Sequence, residues 1–229
     1  MKQALSVTSI SIVLIIISLI LSGLAAPLEK RSIPSCYKSV KMTYYWIPKE
    51  GEKDMNNKGK SIKLNGIKTK KLKDKNGKKI AKVSKVTYNK FQMEGTGLLK
   101  SGTMVNLSTS KKTFMKVDRS KAPYGLGPNN KGLVPWVSVA SNDIKLGTTL
   151  YIKELDGITL PNGVSHNGCV RVDDQSWSMG SCQLDFFVLQ FSAYQVLDKK
   201  IPSKVKATEK SCKVKDYVNS SVKKWAVLA

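Results

Sequence analysis

The sequence predicts an all-β domain, a barrel or a sandwich, on three observations. The β-rich segments beyond Val83 are short, Gly, Pro and Asn separate them, and few windows place apolar residues at helical spacing.

Taken in order, residues 1–25 read as a leader. Lys2 gives a minimal positive start, Ile10 to Leu24 is almost wholly apolar, and Gly23-Leu24-Ala25 fits a small-x-small cleavage site. The uncharged run from Gln3 to Leu28 is also long enough to span a bilayer, so a retained anchor is the rival and the one membrane association expected. Its several Ser and its small-residue end favour cleavage. Residues 26–31 read as a short propeptide, because Leu28-Glu29-Lys30-Arg31 ends in a dibasic pair resembling kexin-type sites of fungal secretion. The expected mature chain starts at Ser32, is extracellular or wall-associated, and is a monomer of one ordinary-sized domain.

Residues 32–90 form a basic N-terminal segment expected to pack on the barrel. From Lys58 to Lys90 there are thirteen Lys and one acid, Asp74. Asn65-Gly66 and Asn76-Gly77 sit between short alternating segments, the strongest short-range hairpin signal. Such lysines either bind a polyanion or simply keep solvated strand edges apart. The whole chain carries a net charge of +23 with only three arginines, Arg31, Arg119 and Arg171. Base and phosphate recognition favours the planar Arg fork, so nucleic acid is not an expected partner. Diffuse attraction to an anionic surface such as a cell wall is.

Strands are expected at 104–107, 133–140, 149–153, 169–172 and 184–191. Gly125-Leu-Gly127-Pro128, Leu146-Gly147, Asp156-Gly157 and Pro161-Asn-Gly163 supply turns between them. Residues 199–229 are a basic tail in which 217–228 suits a short helix.

Cys36, Cys169, Cys182 and Cys212 are even in number, as expected of two disulfides in an oxidising compartment, with three possible pairings. Spacing favours Cys169–Cys182, a short loop worth about 3 kcal/mol, with Cys36–Cys212 tying the ends. One His and no C-x-x-C pair argue against zinc, and no metal or cofactor is expected. The sequons at Asn106 and Asn219 agree with secretion.

The chemistry gathers between the middle cysteines. Asp173 and Asp174 are adjacent, Trp177 follows, and Asp185 lies eleven residues past Asp174. A rigidly held carboxyl beside an aromatic surface suits protonation of a glycosidic oxygen. If strand alternation is regular, Asp173 and Asp174 face opposite ways, so one of them is structural. Asp185 serves either the chemistry or the local backbone. Trp177, Trp136, Tyr124 and His166 are the candidate substrate contacts, and packing or turn roles compete for each.

From residue 91 to 198 the chain resembles one family. The residues that carry the resemblance are Met93-Glu94-Gly95-Thr96-Gly97 with Gly102 to Asn106, Tyr124 to Gly127 with Leu133 to Ala140, Ile144 to Gly157, His166-Asn-Gly-Cys169-Val-Arg-Val-Asp-Asp174, and Asp185-Phe-Phe-Val188. In order and spacing they are similar to secreted eukaryotic proteins with a three-aspartate domain, and to the catalytic domain of membrane-bound lytic transglycosylase A. That resemblance implies a double-psi β-barrel, related in architecture to expansins and barwin-like endoglucanases, acting on a β-linked wall polysaccharide such as peptidoglycan. It implies Asp174 as acid and then base, with the sugar's own 6-hydroxyl giving a 1,6-anhydro product. A hydrolase would add a second carboxylate, Asp173 or Asp185, to activate water. The chain departs from the family after Asp174, where Gln175-Ser-Trp-Ser-Met-Gly-Ser181 replaces a segment with paired glycines and a Lys. A non-catalytic wall-binding protein of expansin type, or a secreted effector, is the alternative.

Overall fold

The structure, a computed structural model, describes residues 33–228 apart from 109 and 177. The expected leader (1–25), the dibasic segment (26–31) and Trp177 lie outside the described residues. In chain order the strands are β1 (Val40–Trp46), β2 (Lys53–Met55), β3 (Ser61–Lys63), β4 (Lys68–Lys73), β5 (Lys79–Ser84), β6 (Thr96–Leu98), β7 (Met104–Leu107), β8 (Phe114–Lys116), β9 (Ser138–Ala140), β10 (Thr149–Thr159), β11 (Ser165–Asp174), β12 (Gln183–Leu189), β13 (Lys204–Val205) and β14 (Ala207–Glu209). Among the described residues three α-helices join them: α1 (Lys85–Glu94), α2 (Phe191–Leu197) and α3 (Ser220–Trp225).

The main sheet has seven strands in the order β13-β1-β12-β9-β11-β10-β14. Its two edges are neighbours in sequence. β13 pairs with β1 through Val40 and Val205, β14 pairs with β10 through Ile152 and Ala207, and only Lys206 stands between. Two residue steps of about 3.3 Å bridge edge to edge. The sheet is therefore nearly closed, like a barrel. It draws β1 from before residue 91 and β13 and β14 from beyond residue 198. Strand β12 sits between a parallel neighbour, β1, and an antiparallel one, β9. Covered on both sides, its Leu184 and Phe186 to Leu189 are all buried, which explains an apolar run rather than alternation.

Of the two expected hairpin turns, one is in place. Asn76-Gly77 closes β4 onto β5. Asn65-Gly66 instead links two hairpins, because β3 pairs back onto β2 around residues 56–60, where the Asn56 side chain accepts from the N–H groups of Lys58 and Lys60. Helix α1 was not legible among the lysines. Ser84 caps it by accepting from the Thr87 N–H at 3.1 Å, and Gly95 at φ 74° ends it. Its Phe91 packs with Leu72, Val83, Leu99, Val105 and Phe114 in a small second core beneath the β4–β5 ribbon.

The disulfides correct the expected pairing: they are Cys36–Cys182 and Cys169–Cys212. Topology gives the reason. Cys169 lies in β11 and Cys182 just before β12, and β9 runs between those two strands. The β1–β12 ladder, starting at Lys41 and Gln183, instead brings Cys36 to Cys182. Cys169 faces toward β10, whose other neighbour β14 leads into Cys212. Sequence separations of 146 and 43 residues close larger loops than expected, individually worth about 5 and about 4 kcal/mol in the chain-entropy model.

Candidate active site

Three central strands set two carboxylates side by side. In the registers, Ala140 of β9 faces Asp174 of β11 on one side and Asp185 of β12 on the other. Residues in cross-strand register share a face, so both carboxylates emerge into the same cleft. Two strand spacings put their Cα atoms about 10 Å apart. The small Ala140 side chain stands between them. The cleft has a volume of about 280 Å³.

Asp173 does not join them, and the reason is a bulge. The β11–β9 register runs Arg171 to Ser138, Val172 to Val139, then Asp174 to Ala140, so Asp173 is the unpaired extra residue. Its side chain is fully buried and accepts from Arg171 Nε at 2.7 Å, Lys131 Nζ at 2.7 Å and Ser138 Oγ at 2.7 Å. Burial works against the charge, but these three donors outweigh it and hold the carboxyl below its ordinary range. Gly127 makes the bulge possible, since a Cβ there would lie 2.4 Å from the Asp173 carbonyl oxygen.

Asp174 and Asp185 behave oppositely. Burial pushes Asp174 up to about 6, against the Gln175 N–H that it accepts at 2.8 Å and the Tyr45 hydroxyl beside it. Burial likewise pushes Asp185 up to about 6, opposed by Thr43 and aided by the charges of Glu94 and Asp174. Among the described residues, one Asp185 oxygen is buried without a hydrogen-bond partner. Tyr45 is raised well above the usual phenol range, first by burial and then by these aspartates, so it stands in the cleft as a neutral donor.

Glu94, at the end of α1, is a third carboxylate lining the cleft. Burial raises its pKa while Lys90, at 2.7 Å, opposes the rise. Lys90 also meets Asp54 at 3.1 Å and sits 4.9 Å above the Trp46 ring, a buried cluster that fixes this wall. Sequence reasoning passed over Tyr45 and Glu94 as functional residues. Glu94 had a signal, its place between Met93 and the helix-ending Gly95. Tyr45 had none, since its strand lies far from the aspartates in sequence.

Of the expected substrate contacts, Tyr124 lines the cleft and the other described ones do not. Trp136 is packed in the core at φ 56°, its indole N–H without a partner among the described residues. His166 is buried and stacked on Tyr217 at 4.8 Å. Its Nδ1 accepts from the Gly168 N–H at 2.9 Å, so Nε2 carries the proton and donates to the Trp136 carbonyl at 2.8 Å. Burial lowers its pKa, and the neutral ring is a structural tie.

The segment after Asp174 is held by the residues that follow Ala140. Asn142 donates to the Ser176 and Met179 carbonyls, each at 2.7 Å, and accepts from the Ser176 N–H at 3.0 Å. Asp143 accepts from the Cys182 N–H at 2.9 Å and from the Tyr37 hydroxyl. Among the described residues, the ligand-type atoms that cluster are those of Cys36, Asp143 and Cys182, and both sulfurs are tied up in the disulfide.

Compared with known proteins, the chain matches no family model and no curated sequence. Solved structures do resemble it. A lytic transglycosylase, LtgG, of Burkholderia pseudomallei aligns over 75% of this chain and 71% of its own at 12% identity and TM-score 0.44. E. coli MltA with bound chitohexaose aligns over 75% and 71% at 14% identity and TM-score 0.47. A membrane-bound lytic murein transglycosylase from Agrobacterium tumefaciens aligns over 79% and 75% at 11% identity and TM-score 0.46. At TM-scores below 0.5, these likenesses are too weak to assign chemistry to the cleft.

Proposed function

We propose that this protein cleaves β-1,4-glycosidic bonds of a wall polysaccharide, peptidoglycan among the candidates, with Asp174 as the general acid. One observation carries the reading: a cleft carboxyl raised to about 6 stands across Ala140 from a second one raised equally. An acid must hold its proton at working pH, and burial provides that here. The motif resemblance over 91–198 supports the same assignment. Protonated Asp174 donates to the glycosidic oxygen as the bond to the anomeric carbon breaks, and the leaving sugar departs as an alcohol. If the attacking oxygen is the sugar's own 6-hydroxyl, the Asp174 carboxylate takes its proton and the product is a 1,6-anhydro end; if it is water, ionised Asp185 takes the proton instead and the product is a reducing end.

Two further readings belong with this one. The parallel β1–β12 and β9–β11 ladders, joined through antiparallel β12–β9, support a double-psi topology for the barrel. The two disulfides support an oxidising, extracellular location.

The deciding experiment incubates the purified chain with peptidoglycan, chitin and β-1,4-glucan from about pH 4 to about pH 8 and reads products by mass spectrometry. A 1,6-anhydro end is lighter than a hydrolytic end by one water. Absence of cleavage throughout would sink the enzymatic reading. Retention on insoluble glycan that Asp174→Asn leaves unchanged would favour the wall-binding alternative, toward which the missing glycines after Asp174 point.

A further inference from the structure

The β4–β5 ribbon has two unlike faces. Leu72 and Val83 are buried against α1. On the other face, the register sets Lys71 directly opposite Lys82 and Lys73 directly opposite Lys79, all four exposed. Like charges in directly opposed positions destabilise a ladder, so nothing in the fold itself rewards this arrangement. Nor does an acid answer it. Among the described residues, none of these four lysines forms a salt bridge. The nearby acids are committed elsewhere: Glu50 to Lys68, Asp54 to Lys90, and Asp74 to the Asn76 and Lys78 N–H groups of its own turn. At the ribbon's tip a groove of about 510 Å³ continues the positive surface with Lys75, Lys78 and Lys116, beside half-exposed Met115.

We propose that this lysine face and the groove at its tip dock a linear polyanion with closely spaced carboxylates or phosphates, of the kind acidic wall glycans carry. Lysines are point charges that suit a flexible chain of anions. The surface lacks the Arg forks and stacking aromatics that read bases. The ribbon also leads to the cleft, since its buried face packs on Phe91, three residues before Glu94. That the anion is borne by a glycan rests on the cleft reading; the electrostatic docking does not.

The test compares three full chains: the parent, a ribbon variant combining Lys71→Thr, Lys73→Thr, Lys79→Thr and Lys82→Thr, and a control of equal charge combining Lys145→Thr, Lys153→Thr, Lys199→Thr and Lys213→Thr, all exposed positions elsewhere. Thermal melting confirms that each is folded. Affinity for polygalacturonate, for inorganic polyphosphate, for neutral β-glucan and for duplex DNA is read from about 50 to about 200 mM salt. At roughly 0.7 per lysine, the ribbon variant should lose about 3 from the log–log salt slope on the acidic polymers, or about 50-fold in salt sensitivity over that range. The control should lose little. The stronger of the carboxylate and phosphate arms identifies the anion. Equal losses in ribbon and control variants would reduce the effect to net charge and overturn the proposal, as would tighter binding to DNA than to either polymer. Turnover of a short neutral oligosaccharide should be unchanged in the ribbon variant, so a failed cleft reading and a failed docking reading remain separable.

Discussion

Asp174→Asn removes a proton donor from the cleft, and it also removes a charge that the fold holds at a cost. The carboxyl ionises near 6 in the folded chain against 3.8 ordinarily. Its folded-state pKa is the higher one, so the stabilisation from its proton is complete below about pH 3.8 and is lost as pH climbs through about 6. At about 1.4 kcal/mol per pKa unit, the ionised side chain costs up to about 3 kcal/mol above pH 7. Asn keeps the oxygen that accepts from Gln175 and carries no charge. The variant should therefore be more stable than the parent by about 2–3 kcal/mol near pH 7.5, roughly 5–10 °C in melting temperature for a domain of this size. The gain should vanish near pH 4. Turnover should fall at least about a hundredfold, the usual scale for a general acid. Urea unfolding at stepped pH measures the first effect and product release from glycan the second. A variant less stable than the parent at pH 7.5, or a gain that persists unchanged to pH 4, would refute the burial reasoning. Unchanged turnover would refute the acid. Because Asp185 also titrates near 6, the two report as a coupled pair in any pH profile.

Asp173→Asn should act in the opposite sense, costing about 3 kcal/mol at neutral pH because Arg171 and Lys131 lose their buried counter-charge. The parent's stability from that cluster should fade as pH drops below the ordinary 3.8, through the depressed folded-state pKa, which acid titration followed by circular dichroism reads. Gly127→Ala should cost about 1–3 kcal/mol by overpacking against the Asp173 carbonyl, and turnover should drop as the bulge moves Asp174; thermal melting and glycan assays check both. Glu94→Gln removes a negative neighbour of Asp185, so the Asp185 pKa should fall and the acid limb of the rate profile should move to lower pH. A profile that stays in place would detach Glu94 from the chemistry.

The sequence showed the aspartates but not why they differ. Alternation along a strand said that one of Asp173 and Asp174 turns away. The structure replaces alternation with a bulge, which depends on Gly127 fitting against a backbone carbonyl forty-six residues further on. The Asn76-Gly77 turn and β7 were legible because their signals are local. Strand β1, Tyr45 and the Cys36–Cys182 pairing were not, because each is fixed by pairing across most of the chain. The Lys-rich composition masked α1, whose cap residues Ser84 and Gly95 were its visible local signs.

The hexapeptide that carries β13 and β14 bears on how this chain comes to be folded. β1 finds its partner β12 some 140 residues later, and both exposed edges are covered only by residues 204–209. A topology so dominated by distant pairings folds slowly. During synthesis β1 and β10 wait with unpaired backbone until that hexapeptide arrives, and a chain stopped before it would present two sticky edges at once. Nonsense or frameshift changes in this short stretch, which has no place in the cleft, would therefore favour aggregation.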